Sequence, residues 1–500
     1  MVKYESTRQL SILEFKTPFQ TSLRTDNKWV RLSEIVPWDR FASLYMNAMD
    51  KQMGRPGLSP RLVLGALIIK HAKKLDDRGT IEEIQENPYM QFFVGLKEFT
   101  TEPVFDPSLF VEIRKRIGKK MFDKLNEMII ETVSGKSDEK HNKKSQAKTG
   151  DDTPKNKGKL QIDATVADQY IKYPTDTDLL NTSRKKLEEM IDQLYEQKNK
   201  QGIKPRTYRR KIDKAFAVFS KSRHKSKNQI RKMKRKLLEC VNRNIHHLNH
   251  MLDEYGDGAS FPLSKNHQRL LWIIHTVYEQ QKQMYDRQED TCPHRIVSIF
   301  QPHVRPIKRG KQGRDTEFGS KLGVSLDNGF ARLNTLSWEA YNESSDLIKQ
   351  VEAYKDLHGY YPELVQTDNI YPTRGNRKYL KERNIRITAP PLGRKPAESK
   401  TNYYQRRKRK QEAMERNQIE GKFGQGKNGY ALNRIRARLM STSESWISCI
   451  FFIMNLIKLE KEFLLAFFKG ILLCVLGAHK NKNIDFLPGY AFLGSKLIYV

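Results

Sequence analysis

Residues 160–167 read LQIDATVA. Apolar and polar side chains alternate and β-branched residues are frequent, so the stretch predicts a β-strand with Asp163 at its middle. On both sides of it the pattern changes. Upstream, SGKSDEKHNKKSQAKTGDDTPKNKGK (134–159) has almost no apolar residue and predicts a flexible basic linker. Downstream, from about 181 to 290, the chain turns helical and strongly basic, with RTYRRK (206–211) and IRKMKRKLLE (230–239). That is too long for a loop and predicts a helical insertion. Strand pattern resumes at RIVSIF (295–300) and continues in EFGSKLGVSLD (317–327) and GFARLNTLSW (329–338), where Asp327-Asn328-Gly329 is a hairpin turn signal. A helix is expected at SSDLIKQVEAYKDLHG (344–359), and a strand at ELVQT (363–367) running into Asp368. Another helix is expected at RGNRKYLKERN (374–384) and a strand at IRIT (385–388). A basic, helix-rich stretch from 400 to 439 contains Glu420.

Before the linker, residues 27–133 read as short helices. Ser59-Pro60 and Asp106-Pro107 are start signals, and Thr80-Ile-Glu-Glu83 has the form of a capping box ahead of Pro88. Arg114, Lys115 and Arg116 lie on the charged face of a helix predicted to stop at Gly118, which fits a DNA-binding head of helix-turn-helix type. The whole therefore predicts an α/β fold: a ribonuclease-H-like mixed sheet with a large helical insertion, behind an all-helical N-terminal domain. The expected domains are 1–133, the linker 134–159, a catalytic domain 160–440 with its insertion, and a C-terminal helical segment 441–500 that packs on the core.

The 500 residues carry 91 Lys+Arg against 58 Asp+Glu, a net charge of +33. A field of that sign recruits polyanions, duplex DNA first among them. The four cysteines, Cys240, Cys292, Cys449 and Cys474, form no C-x-x-C pair and read as reduced thiols of a cytoplasmic, nucleoid-associated protein. Trp446–Leu459 and Phe463–Gly477 are apolar but interrupted by Asn455, Lys458, Glu460, Lys461, Glu462 and Lys469, so buried helices are expected rather than membrane spans. Cys240, His246, His247 and His250 lack the fourth ligand of a closed zinc motif. No G-x-x-x-x-G-K-[ST] loop occurs, so no nucleotide cofactor is expected.

Asp163 and Asp368 sit in or just after apolar strands, where an unbalanced carboxylate costs several kcal/mol. A divalent cation would balance them. Phosphoryl transfer on DNA needs charge compensation at the attacking and leaving oxygens, which two magnesium ions about 4 Å apart supply when carboxylates on different elements hold them.

Several blocks in order resemble the DDE transposases of bacterial insertion sequences, in the group typified by insertion sequence five. GRPGLSPRLVLGALIIKHAKKLDDRGTIEEIQENPYMQFFVGL and FDPSLFVEIRKRIG resemble its N-terminal domain. LQIDATVA resembles the first-aspartate strand, TDNIYPTRGNRKYLKERNIRITAPPLGR the second-aspartate block, and RNQIEGKFGQGKNGYALNRIRARL the glutamate block. The resemblance implies Asp163, Asp368 and Glu420 as catalytic residues and ligands of two Mg2+ ions, with Mn2+ able to substitute. Arg416 and Lys427, four before and seven after Glu420, match the arginine and lysine of the wider pattern, whose tyrosine is replaced by Ala413. By the same resemblance Arg416 and Lys427 grip DNA phosphates, and Lys422, Arg114 and Arg116 are further DNA-contact candidates. The implied partners are terminal inverted repeats and target DNA, in a homodimer or larger synaptic complex. The alternative is a catalytically silent DNA-binding descendant of a transposase.

Overall fold

The computed structural model describes residues 15–17, 22–47, 49, 57–134, 155–197, 200, 202–254, 261–308, 316–389, 403–475, 490–493 and 496–499. Most of the expected linker and the end of the Phe463–Gly477 stretch lie outside these residues. The chain forms two compact units, one of residues 1–167, 321–337 and 341–500, the other of 168–320 with 338–340.

The first unit opens with helices α1 (Lys28–Ile35), α2 (Trp38–Asn47), α3 (Pro60–Lys73), α4 (Asp77–Glu86), α5 (Pro88–Phe93) and α6 (Leu109–Ser134). Ser59 stands at the N-cap position of α3 but its hydroxyl makes no cap hydrogen bond, and Pro60 opens the helix. Helix α4 starts earlier than its capping-box signal. Asp76 accepts from the Gly79 N–H at 2.8 Å, and a carboxylate at the helix start outcompetes Thr80, which turns inward as a buried helical residue. At Gly118 (φ 62°) the helix kinks and continues, because glycine tolerates that backbone without ending the run of apolar side chains beyond it.

The sheet is built from β1 (Lys159–Asp168), β2 (Arg305–Lys308), β3 (Thr316–Asp327), β4 (Phe330–Ser337), β5 (Leu364–Thr367) and β6 (Arg386–Ile387). In the first unit its order is β4-β3-β1-β5-β6, with β3–β4 an antiparallel hairpin and β1, β5 and β6 parallel. Asn328 (φ 48°) and Gly329 (φ 79°) take the left-handed backbone that a two-residue hairpin demands. This is a ribonuclease-H-like sheet. Helix α11 (Leu347–His358) precedes β5, with α7–α10 belonging to the second unit. Helix α12 (Arg374–Glu382) precedes β6, and α13 (Tyr403–Gly424) follows.

The apolar C-terminal stretch belongs to α14 (Met440–Val475). Its buried residues Trp446–Leu459 enter one core with α3, α6 and β4. Asn455 is wholly buried there and bonds both Asn126 of α6 (2.7 Å) and the Ala331 backbone of β4 (2.7 and 2.9 Å), which fixes the head and the sheet against the same helix. Among the described residues no helix is long and apolar enough to cross a membrane. A short antiparallel pair, β7 (Tyr490–Leu493) and β8 (Lys496–Tyr499), completes the unit.

The second unit holds α7 (Asp176–Gln197), α8 (Arg209–Lys221), α9 (Lys227–Asp253) and α10 (Lys265–Arg287), as the basic helical pattern anticipates. RIVSIF is not a strand. Ile296 and Ile299 are buried among the apolar faces of these helices, and the Gln280 side chain accepts the Ile296 N–H (3.0 Å) that a ladder would otherwise take. Its alternation comes from plugging a helical core. The strand beyond it is β2, which pairs with the first residues of β3, Arg305 opposite Gly319.

Candidate active site

Strands β1 and β5 run parallel with Gln161 opposite Gln366 and Ile162 opposite Thr367. Side chains alternate along a strand, so Gln161 and Asp163 share a face of β1, and the same period places Gln366 and Asp368 together at the end of β5. Helix α13 is docked on that face by the two amides. Gln161 Nε2 donates to the Glu415 carbonyl (2.8 Å) and to Gln366 Oε1 (2.9 Å), while Gln366 Nε2 donates to the Glu412 carbonyl (3.1 Å). Ion pairs Lys159–Glu415 (2.7 Å) and Arg386–Glu412 (2.6 Å) hold the same turns. The amide pair below the aspartates thereby sets where Arg416 and Glu420 fall.

Burial pushes the Asp163 carboxyl up to about 6; the charges of Glu343 and Asp368 push the same way, against a hydrogen bond from the Ala164 N–H (2.8 Å) and the charge of Arg416. Asp368 accepts the Asn369 N–H at 2.7 Å. Glu420 is exposed and accepts from Arg416 at 2.9 Å, so Arg416 is felt at Asp163 while it hydrogen-bonds Glu420. Among the described residues no three His, Cys, Asp or Glu side chains are grouped closely enough to hold a metal ion. By chemistry the donor atoms suit a hard cation, since all are carboxylate oxygens, and the half-buried Asp163 carboxyl, raised first by desolvation and then by the charges of Glu343 and Asp368, is one that such a cation would relieve.

One residue at this site escaped the sequence reading. Glu343 stands on the short 3-10 turn Glu343–Asp346 and pairs with Lys321 of β3 at 2.9 Å. In sequence it looks like an ordinary acid near a helix start; the only signal was an acid following the hairpin, and periodicity does not single that out. Nearby, Tyr371 is fully buried, its hydroxyl has no hydrogen-bond partner, and burial first and the charges of Glu343 and Asp163 next hold that hydroxyl far above its ordinary range.

The DNA-contact candidates divide. Arg114 is buried, forks onto Asp77 at 2.8 and 2.9 Å, and stacks 5.2 Å from the Trp446 ring, so its charge is neutralised inside the head. Arg116, two residues on, is exposed. Lys422 is buried beside Lys458 and Lys461, and burial followed by their charges pulls its ammonium down to about 8. Lys427 lies in the single π-helical turn Gln425–Gly429 that follows α13, and Ala413 is exposed on α13.

The sheet order defines a ribonuclease-H-like fold. Comparison with known families agrees at both ends of the chain: residues 365–457 match the transposase DDE domain, and residues 18–116 match a transposase domain of the DUF772 type. The chain thus matches transposase domains in two segments, which is consistent with a DDE transposase of insertion-sequence type. It is also similar to the uncharacterized protein ORF8 in the nfe locus of Rhizobium meliloti, 32% identical over 150 residues. That match takes in 30% of this chain and 66% of the relative's length. No solved structure matches the chain significantly.

Proposed function

We propose that this protein cleaves DNA at the terminal inverted repeats of an insertion sequence and transfers the freed ends into target DNA. The observation that carries the reading is the shared face of β1 and β5, where Asp163 and Asp368 sit one pleat beyond the glutamines that dock the helix of Glu420. Asp163, Asp368 and Glu420 would hold Mg2+ or Mn2+, which when bound compensates charge on the attacking and leaving oxygens. Arg416 keeps Glu420 oriented and presents a guanidinium suited to a phosphate beside the scissile bond. Lys427 and Arg116 add charge along the DNA path; Arg114, neutralised by Asp77, has no such part. Two ends must be paired, so the active form is a homodimer or larger synaptic complex.

The test is a Mg2+-dependent nicking assay on the element's own ends. Asp163→Asn, Asp368→Asn and Glu420→Gln are each expected to reduce cleavage by on the order of 10³-fold or more while end binding survives. Retained cleavage in any one of them removes that residue from the site. One observation favours a second reading, a catalytically silent DNA-binding descendant: among the described residues the acids are not gathered into a metal site. End binding without any Mg2+- or Mn2+-dependent nicking by the unaltered protein would select it.

A further inference from the structure

Behind the helix of Glu420, a cleft of about 350 Å³ opens between α13, α14 and the β3–β4 turn. From α13 it takes Gln418, Gly421 and Lys422, which three- and four-residue spacing puts on one face, while Glu420 falls on the opposite side of the helix. Helix α14 contributes Lys458 and Lys461, and the turn contributes Gly329. The cleft holds more positive charge than the protein answers. Lys422 is only 8% exposed, and among the described residues its ammonium has no hydrogen-bond or ion-pair partner. The charges that bear on it are those of Lys458, Glu462 and Lys461, and Glu462, the one acid of the three, is already paired with Lys458. An ammonium buried without a counter-charge is unfavourable until an anion arrives to meet it.

The two glycines are a second, independent observation. Glycine inside a helix is unfavourable relative to alanine, yet a Cβ at Gly421 would meet no atom within 4 Å, so packing does not require glycine there. What its missing side chain leaves is an open floor to the cleft. At Gly329 a Cβ would come within 2.6 Å of Lys458 Cε, so the bare turn lets that lysine lie across it, with its ammonium 4.4 Å from the Phe330 ring. The donors are ammonium and amide groups with no guanidinium fork, which suits a tetrahedral phosphate better than a planar carboxylate. Gln418 also lines a neighbouring groove of about 470 Å³ with Arg407 and Lys410, where the acid Glu415 is taken up by Lys159. The positive surface therefore continues along α13, as a ligand with repeated phosphates requires.

We propose that this cleft is a phosphate site, in which Lys422, Lys458 and Lys461 converge on a single phosphate group on the side of α13 away from Glu420. The phosphate can come from a DNA backbone that continues past Gln418 or from a free phosphate-bearing molecule. The inference needs neither the acids nor a metal, so it stands or falls apart from the cleavage reading.

The experiment uses the full-length protein in metal-free buffer, as wild type, K422M, K461Q and K422M/K461Q. Binding of a labelled duplex of arbitrary sequence is followed by fluorescence anisotropy over a range of salt, and melting temperature is measured in inorganic phosphate against chloride at equal ionic strength. Methionine keeps the apolar stem of Lys422, so without ligand K422M is expected to melt at or above the wild-type temperature. Its slope of log DNA affinity against log salt should fall by about 0.9, the share of one phosphate, and the double variant should fall no further. That result assigns the cleft to the DNA backbone. Wild-type DNA binding in K422M, with phosphate raising the melting temperature of wild type but not of K422M, assigns it to a free phosphate instead. No difference between wild type and K422M in either measurement overturns the site, and a fall of about 1.8 in the double variant overturns convergence on one phosphate. Should K422M fail to fold, K461Q, altered at an exposed residue, decides by the same two measurements.

Discussion

The sheet-bearing unit and the insertion differ in where their charge is answered at short range. In the unit that carries the sheet, several charges are paired under partial cover, Arg114 and Lys70 on Asp77, Arg31 on Glu460, Arg332 on Glu127 and Lys321 on Glu343, while Arg407, Lys408 and Lys410 of α13 stand exposed. In the insertion, residues 206–236 contain a single acid, Asp213, among their lysines and arginines. Some of these are neutralised locally, Arg209 by Asp192 and Lys234 by Asp176. Lys211, Lys214, Lys221, Lys227, Lys232 and Lys236 stand exposed on α8 and α9, while Met233, Leu237, Val241 and Ile245 point into the helical core at helical spacing. The difference teaches that a net charge of +33 has two structural meanings here. The covered pairs of the first unit orient side chains at short range. Charge on the insertion is a solvated field, the kind that attracts a duplex without reading its sequence.

The largest effect should come from breaking the insertion's own core. Arg184 is fully buried and serves Glu188, Asp213 and Asn181 at once. Arg184→Ala strands Glu188 and is expected to cost about 3–5 kcal/mol. Because the two units have separate cores, calorimetry should then resolve an early transition for the insertion ahead of the main one; a single transition shifted as a whole would mean that the two unfold together.

Next comes the field itself. Replacing Lys221, Lys227, Lys232 and Lys236 by glutamine should lower affinity for duplex DNA and flatten the slope of log affinity against log salt by up to about 3–4, since each phosphate that a lysine no longer neutralises removes about 0.9. Cleavage of DNA already bound should be little changed. A slope equal to that of wild type would show that this surface does not hold DNA and would leave the insertion a packing role.

The smallest effect concerns Asp163. With its carboxyl raised to about 6, the folded protein keeps a proton that the unfolded chain releases near pH 4. The group therefore lowers stability as pH rises from about 4 to about 6, by up to about 3 kcal/mol at and above pH 6. In metal-free buffer Asp163→Asn should remove that slope, and added Mn2+ should remove most of it in the unaltered protein. A melting temperature that is flat across this window in metal-free wild type would contradict the burial of Asp163.

What could be read from the sequence follows from the range of the forces involved. Strand β1, the Asp327-Asn328-Gly329 hairpin, β5 with Asp368 at its end, and the helices of the insertion are visible because alternation, turn chemistry and helical spacing act within a few residues. RIVSIF misled for the same reason: its alternation is genuine, yet the faces it fills belong to helices distant in sequence. Arg114 looked like a DNA contact because a charged stripe carries no sign of Asp77 or Trp446, 37 and 332 residues away along the chain.

By itself, then, the sequence determined most of the strands and helices, that the insertion is basic, and which two aspartates lie in or just after apolar strands. Only tertiary structure decided which acids face one another. Pairing β1 with β5 brings residue 163 beside residue 368, the Gln161–Gln366 amides set the height of Glu420, and the Asn376 amide ties residue 344 to the loop after Asp368. The Gln161 bonds join residues 205 and 254 positions apart and the Asn376 bond residues 32 apart, and at either range a single bond chooses among neighbours that local pattern cannot distinguish.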